Sequence, residues 1–211
     1  YATNDAKAYA YGLDFGVNGQ LIPGIESWLK IGFLKTEEDI LNDDYYLYLN
    51  AAGDTIVPGY TADDVATDSI LQSPGYVPRP SDKLFNISLL FQDNMPGFEA
   101  LSVQLNTQFS TGLPYGPPDY KRYKDTLRTK SYFRVDIGFS MDFLYWRKNK
   151  KPEEYKVPWL KDFKLSFEVF NLLDIKNTVN YLWLQDVSGR YYSIPNNLTG
   201  RRYNLKLIFR F

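Results

Sequence analysis

The sequence predicts an all-β fold, namely a transmembrane antiparallel β-barrel of which about seven strands lie in this chain. Three observations carry this prediction. Apolar and polar residues alternate through residues 198–211. Aromatic residues make up 17% of a chain whose mean hydropathy is only −0.38. Short and long connections alternate along the sequence, as they do in outer-membrane barrels.

The last segment, residues 198–211, shows the alternation most clearly. Because successive side chains of a strand project to opposite faces, one of its faces is aromatic and aliphatic and the other is mostly charged or amide-bearing. The apolar set is Tyr203, Leu205, Leu207, Phe209 and Phe211. This arrangement is typical of the closing strand of a barrel, with the apolar face toward lipid and the polar face toward the lumen.

Six earlier segments alternate in the same way, at residues 8–21, 26–36, 83–93, 100–110, 132–143 and 163–173. A strand of about 11 residues, at ~3.3 Å per residue and a tilt of ~40°, covers about 28 Å, which matches the apolar band of an outer membrane. Short connections at 22–25 and 94–99, with a mid-length one at 145–161, are expected on the periplasmic side. Long loops at 37–82, 111–131 and 174–200 are expected outside, the last with a hairpin around Ser188-Gly189.

Composition excludes several functions. A net charge of −1 gives no basic surface for nucleic acid. The chain has no cysteine and no histidine, and no G-x-S-x-G motif, so we expect no catalytic residue, no metal site and no cofactor. No run approaches the roughly 18 apolar residues of a transmembrane helix. The first ten residues do not resemble a signal peptide, so we expect that the signal was removed or that this is an interior start.

An odd number of strands leaves the first strand without a neighbour on one side, and an unpaired edge is unfavourable in lipid. We therefore expect the chain to be the C-terminal part of a longer polypeptide, or one of several chains that close the barrel together. An eighth strand within residues 45–49 or 55–60 is the less favoured alternative, because these runs are short and lie in acidic sequence.

FEVFNLLDIKN at residues 167–177 and the segment 181–211 resemble the C-terminal end of TonB-dependent outer-membrane transporters, in particular the subset that pairs with a surface lipoprotein. NLLD at residues 171–174 and LTGRRYNL at 198–205 carry the resemblance. It implies a 22-stranded barrel in the bacterial outer membrane, and uptake of a glycan or peptide-like nutrient too large for porins. This chain would supply barrel wall and extracellular loops.

The resemblance also implies partners: outer-membrane lipid, the remaining strands and an internal plug in the same polypeptide or a companion chain, TonB through an N-terminal part that is not in this sequence, and a surface lipoprotein as a lid. It makes Phe209 and Phe211 the barrel-assembly signal, the alternative being a lipid-facing strand end alone. The other function left open is structural, as a barrel subunit of an outer-membrane assembly or a small stand-alone barrel.

Candidate substrate-binding residues are Tyr45, Tyr46, Tyr48, Tyr115, Arg134 and Asp136. The first three lie in the acidic loop (residues 37–82), which has nine acidic residues between positions 37 and 68 and no Lys or Arg between positions 35 and 79. The alternative role of this segment is that of a solvated loop. Arg134 and Asp136 belong to a set of polar-face residues that line the lumen or contact the plug: Asp14, Asn18, Gln104, Asn106, Arg134, Asp136 and Glu168. Tyr145, Trp146 and Trp159 are predicted to form the periplasmic interfacial girdle.

Overall fold

The computed structural model describes residues 5–22, 24–117, 126–145, 149 and 159–211. The described part of the chain is built from antiparallel β-strands. They are β1 (Ala6–Ile22), β2 (Ile25–Ile40), β3 (Tyr45–Leu49), β4 (Asp68–Gln72), β5 (Val77–Pro78), β6 (Asn86–Met95), β7 (Phe98–Ser110), β8 (Pro114–Tyr115), β9 (Leu127–Arg128), β10 (Tyr132–Asp142), β11 (Asp162–Phe170), β12 (Thr178–Gln185), β13 (Tyr191–Asn197) and β14 (Arg202–Arg210).

Seven long strands form one antiparallel sheet in the order β1-β2-β6-β7-β10-β11-β14, and the short strand β5 pairs with the far end of β2. All seven predicted segments are confirmed as strands. Their ends differ where tertiary contacts decide: β2 continues to Ile40 alongside β5, whereas β11 stops at Phe170. β11 ends there because Asn171 adopts a left-handed backbone with φ of 53°, which an extended strand cannot contain.

The register places apolar residues opposite apolar residues over the middle of the sheet, and the exceptions lie near strand ends, such as Tyr9 opposite Glu37 and Val103 opposite Asp93. One row across five strands joins Phe15, Ile31, Ile87, Phe109 and Phe133. The neighbouring row, on the opposite face, joins Gly16, Lys30, Ser88, Gln108 and Arg134. The sheet therefore has one mainly apolar face and one mainly polar face, as the alternation predicts, with Trp28 and Leu90 as apolar residues on the polar face.

In the part of the chain that the structure describes, no second layer covers the apolar face of the main sheet. Close contacts between strands are those between hydrogen-bonded neighbours. Leu205 and Tyr203 remain 66% exposed and Leu13 56%, while the buried apolar side chains in the described ranges are few: Val77, Ala100, Leu144 and Val169. Burial of apolar surface between layers is what stabilises a water-soluble β-sandwich, and the main sheet lacks it.

The sheet is open rather than closed into a barrel. Within the described residues, β1 pairs only with β2, and β14 pairs only with β11. The outer edges of both strands therefore present backbone N–H and C=O groups without a strand partner in this part of the chain. No helix found in the described ranges is long and apolar enough to cross a membrane.

Three small hairpins stand apart from the main sheet: β3-β4 in the acidic loop, β8-β9 in the second long connection and β12-β13 in the third. The predicted hairpin around Ser188-Gly189 is confirmed by β12-β13. Residues 45–49 do form a strand, but it pairs with β4 and adds no strand to the main sheet. Residues 55–60 contribute a single bridge, from Thr55 to Leu49.

Candidate functional site

A band of aromatic rings follows the apolar face at the end where the long loops emerge. The ring centroids of Phe33 and Phe85 are 5.0 Å apart, those of Phe85 and Phe109 6.0 Å, and those of Phe109 and Phe133 6.5 Å. Each ring comes from a different strand or strand entry, so the band runs across the sheet rather than along it. We call this row the loop-side aromatic band.

A second band crosses the opposite end of the same face, and we call it the turn-side aromatic band. Phe163 stacks between Phe143 and Phe209 with ring centroids 4.8 Å from each, and Trp159 stacks on Phe211 at 5.7 Å. Phe133 and Phe143 lie ten residues apart on the β10 segment. At about 3.3 Å per residue and a tilt of about 40°, that separation corresponds to roughly 25 Å along a barrel axis.

The polar face carries a charged pair at the loop-side end of β10. Arg134 Nε lies 2.7 Å from Asp136 Oδ1, as their positions two apart on one face predict. The guanidinium also lies over the Phe170 ring at 5.5 Å from its centroid, which is a cation–π contact. The same carboxylate oxygen accepts a bond of 2.8 Å from the Asn171 backbone N–H. Asp136 thus joins the polar face to the start of the NLLD element.

The segment NLLDIKN folds back on the end of β10 and holds the third long connection in place. Asn171, which is buried, exchanges two hydrogen bonds with the backbone of Ile175. Asn177, 3% exposed, accepts from the Phe133 N–H and donates to the Phe133 carbonyl, each bond at 2.9 Å. Asn177 therefore substitutes its side-chain amide for the strand partner that β11 no longer supplies after Phe170. The motif acts here as a backbone clamp.

Replacing Asn177 by Ala is expected to release the third connection from the sheet. Both the N–H and the C=O of Phe133 would lose their partners in a partly buried setting, which costs about 1–3 kcal/mol. Hydrogen exchange measured by mass spectrometry should show faster exchange in β12 and β13. Asn180→Ala, at an exposed position of the same hairpin, is the matched control and should leave exchange unchanged.

A buried carboxylate ties the acidic loop to the second connection. Asp82 is fully buried and its Oδ1 accepts a bond of 2.7 Å from the Thr36 N–H on β2. Its Oδ2 pairs with Arg128 Nη2, and Arg128 Nη1 donates to the Asp82 and Gly112 carbonyls at 3.1 Å each. This cluster, which we call the Asp82 lock, holds two long connections and β2 together.

The hairpin β12-β13 reaches across to the acidic loop. Arg190 donates through Nε to the Gly59 carbonyl and lies over the Tyr60 ring at 5.2 Å. A Cβ added to Gly59, whose φ is 78°, would lie 2.5 Å from the Ser188 carbonyl oxygen, so the approach requires glycine. At the hairpin tip the hydroxyl and N–H of Ser188 donate to Asp186, and these bonds lower the pKa of the Asp186 carboxyl.

An aromatic cluster joins the second connection to the third. Tyr115 stacks on Tyr181 with ring centroids 4.3 Å apart and planes 8° from parallel, and its ring lies 5.9 Å from that of Trp183. Burial raises the pKa of the Tyr115 hydroxyl, and the neighbouring Tyr181 raises it further. Three long connections are thus in mutual contact and form one assembly above the loop-side aromatic band.

The predicted substrate-binding residues fall on three separate elements. Tyr45, Tyr46 and Tyr48 lie on β3, where Tyr46 and Tyr48 are 56% and 54% exposed. Tyr115 lies in the aromatic cluster, and Arg134 with Asp136 on the polar face of β10. Tyr181 and Trp183, which the sequence analysis did not select, belong with Tyr115, and their alternation on β12 was the signal available.

The predicted girdle and assembly residues lie at the turn-side end. Trp159 is 61% exposed and stacks on Phe211, and Phe209 stacks on Phe163. The Tyr145 hydroxyl donates to Glu99. Trp146 lies outside the described residues. The sequence analysis missed Phe143 and Phe163, although an aromatic residue at the same end of neighbouring strands could have indicated them.

The polar residues that the sequence analysis predicts to line the lumen or contact the plug all lie on the polar face of the main sheet. Glu168 accepts a bond of 2.8 Å from Asn204, and Gln104 lies opposite Gly138. Where Gly138 leaves out a side chain, the face has a shallow concavity of about 220 Å³ lined by polar groups such as Gln104, Ser140 and Glu168. In the described ranges, no group of three or more acidic side chains is placed to hold a metal ion.

These observations define the class of protein as an all-β chain with an open, two-faced antiparallel sheet and interlocked loops at one end. No family of known proteins matches the sequence, and comparisons with curated proteins and with solved structures find none that is similar.

Proposed function

We propose that this chain forms part of the wall of a bacterial outer-membrane β-barrel that takes up a nutrient too large for porins, a glycan or a peptide, with energy supplied through TonB. The chain contributes lipid-facing wall, lumen-facing polar surface and extracellular loops. The remaining strands and a plug come from the same polypeptide or from a companion chain. The proposal assigns no reaction to the chain.

One observation carries the membrane part of the proposal: the two aromatic bands on an exposed, mainly apolar face, roughly 25 Å apart by strand geometry. Transmembrane barrels have an apolar band of about this height between two aromatic girdles. The same exposed face in water would be a large aggregation hazard. A lipid environment accounts both for the exposure of the apolar face and for the spacing of the two aromatic bands.

The location of the loops supports the transport part. All three long connections emerge beyond the loop-side band and contact one another, and the turn at Gly97 is short and lies at the other end. Long loops of transmembrane barrels lie outside the cell and short turns lie in the periplasm. In this orientation the interlocked loops face the medium from which a nutrient is captured, and a surface lipoprotein can cover them.

The open edges of β1 and β14 support a wall that other strands complete. Unpaired backbone groups are unfavourable in hydrocarbon, so a strand that faces lipid needs a neighbour on both sides. A structural barrel subunit of an outer-membrane assembly shares this requirement, and an uptake measurement separates the two functions.

The test is a clean deletion of the gene in its native host, followed by uptake of fluorescently labelled oligosaccharides and peptides. We expect uptake of one ligand class to be lost, and a strain without TonB to show the same loss. The abundance of other outer-membrane proteins serves as the control. Normal uptake of every ligand together with a depleted outer-membrane proteome would instead support the structural function.

A further inference from the structure

The outer edge of β4 is a strand edge without a partner, in the midst of exposed apolar side chains. β4 pairs with β3 on one side, and in the described part of the chain its other side has no strand. Four of its five residues are exposed, with Ile70 at 45% and Leu71 at 54%. The facing strand adds Tyr46 and Tyr48, both more than half exposed.

The hydrogen-bond pattern identifies which backbone groups of β4 point outward. The Ile56 N–H donates to the Tyr48 carbonyl, and the Asn50 N–H donates to the Asp54 carbonyl. The backbone N–H and C=O of Tyr48 therefore point away from β4. In an antiparallel pair, two directly opposite residues either exchange backbone hydrogen bonds or both turn their N–H and C=O groups away from each other. Ser69 lies opposite Tyr48, and its N–H is bonded to the Asp68 side chain instead of to β3.

Hydrogen-bonded and non-hydrogen-bonded pairs alternate along an antiparallel pair of strands. The backbone groups of Leu71 therefore point outward like those of Ser69, whereas those of Ile70 face Leu47 on β3. The second edge of β3 is covered at Tyr48 and Asn50 by the Thr55 bridge and its flanking bonds. The β4 edge offers positions for an added strand through the N–H and C=O of Leu71 and the C=O of Ser69.

The charge of the loop that carries this edge is strongly one-sided, with Asp68 on β4 itself and Asp44 bonded to Ser73 just beyond it. The acidic loop contains ten carboxylates, and three of them form ion pairs with described residues: Glu37 with Lys35, Glu38 with Arg79 and Asp82 with Arg128. The other seven are Asp39, Asp43, Asp44, Asp54, Asp63, Asp64 and Asp68, and no ion pair joins them to a described Lys or Arg. Burial and the neighbouring carboxylates of Asp39 and Asp44 raise the pKa of Asp43.

We propose that the β4 edge is a docking site for an extended, lysine- or arginine-bearing segment of a partner protein, which adds as a strand beside Ser69 and Leu71. Main-chain bonds hold such a segment, its apolar side chains lie beside Tyr46 and Leu71, and its cations face the unpaired carboxylates. A protein segment fits better than a free peptide, because an edge with two outward-pointing residues binds weakly and contributes most within a larger interface. This inference is independent of nutrient uptake.

The test uses the assembled barrel in detergent and a fluorescein-labelled probe peptide of alternating lysine and valine, with binding followed by fluorescence anisotropy. We expect a dissociation constant on the order of 100 μM at low salt and weaker binding at high salt. The matched peptide of alternating glutamate and valine should bind at least tenfold more weakly.

Backbone specificity separates strand addition from charge attraction alone. Two further probes carry N-methyl groups on alternate residues, one blocking the lysine N–H groups and the other the valine N–H groups. An added strand turns only one of these sets toward β4, so one probe should lose binding at least tenfold while the other binds like the unmethylated peptide. Equal binding of the two would overturn the proposal.

A substitution pair makes the same test on the protein. Leu71→Pro removes an outward N–H without removing a bond to β3 and is expected to weaken lysine-peptide binding at least fivefold. Leu71→Ala keeps the N–H and should bind within twofold of the natural chain. Undiminished binding by Leu71→Pro would contradict the proposal, and the N-methyl probes on the natural chain remain decisive if Leu71→Pro fails to fold.

Discussion

Replacing Ile137 by Lys is expected to destabilise the assembled barrel by about 2–4 kcal/mol, because a lysine near the bilayer midplane must leave water or distort the lipid. Ile137 lies on the apolar face of β10, between Phe133 of the loop-side band and Phe143 of the turn-side band. The measurement is urea unfolding of the barrel from lipid vesicles, followed by tryptophan fluorescence.

The matched control is Gln104→Lys on the neighbouring strand. Gln104 lies opposite Gly138, the residue after Ile137 on β10, so the two substitutions lie at nearly the same depth along the strands. The Gln104 side chain, however, is exposed on the polar face. The same charge is expected to cost little there, because the lumen side is hydrated. A loss of stability from Gln104→Lys as large as that from Ile137→Lys would contradict the assignment of the two faces.

The second large effect is expected at the Asp82 lock. Asp82→Ala removes the acceptor for the Thr36 N–H and leaves Arg128 without its carboxylate. Breaking a buried ion pair by removing one partner costs about 3–5 kcal/mol, and we expect a value near the lower end because the Arg128 side chain is 32% exposed. The loss should appear as detachment of the acidic loop, with faster proteolysis and hydrogen exchange there.

A double-mutant cycle with Arg128→Met isolates the pair. If the lock is one unit, Asp82→Ala in the Arg128→Met background should cost clearly less than in the natural chain. Asp64→Asn, an exposed carboxylate of the same loop, serves as the control for charge alone and is expected to have no effect. Additive effects of Asp82→Ala and Arg128→Met would show that the two groups act separately.

The sheet could be predicted from the sequence because strand side chains alternate strictly and the apolar set of each segment therefore identifies its face. That rule located β7 at Phe98–Ser110 and β14 at Arg202–Arg210 within two to four residues of the predicted bounds. Alternation also restricts the register, since a slip by one residue would move Ile137 off the face that it shares with Leu105 and Val169. It does not distinguish registers that differ by two residues, which the turns decide.

The contacts that hold the loops could not be predicted in this way. Asp82 and Arg128 lie 46 residues apart in segments without alternation, so no local pattern relates them. The end of β11 depends on Asn171 adopting a left-handed backbone and bonding to Ile175, which is a tertiary choice rather than a propensity. The candidate site is divided among two loops and the polar face of β10 for the same reason.

In the proposed barrel wall, the apolar face contacts lipid and the polar face does not. Because the sequence contains no cysteine, each position from 134 to 142 can carry a single introduced cysteine with a nitroxide spin label in membrane-inserted protein. We predict that accessibility to oxygen, which concentrates in lipid, peaks at positions 135, 137, 139 and 141 and falls at the positions between them. A profile without this period of two, or with its peaks at the even positions, would contradict the account.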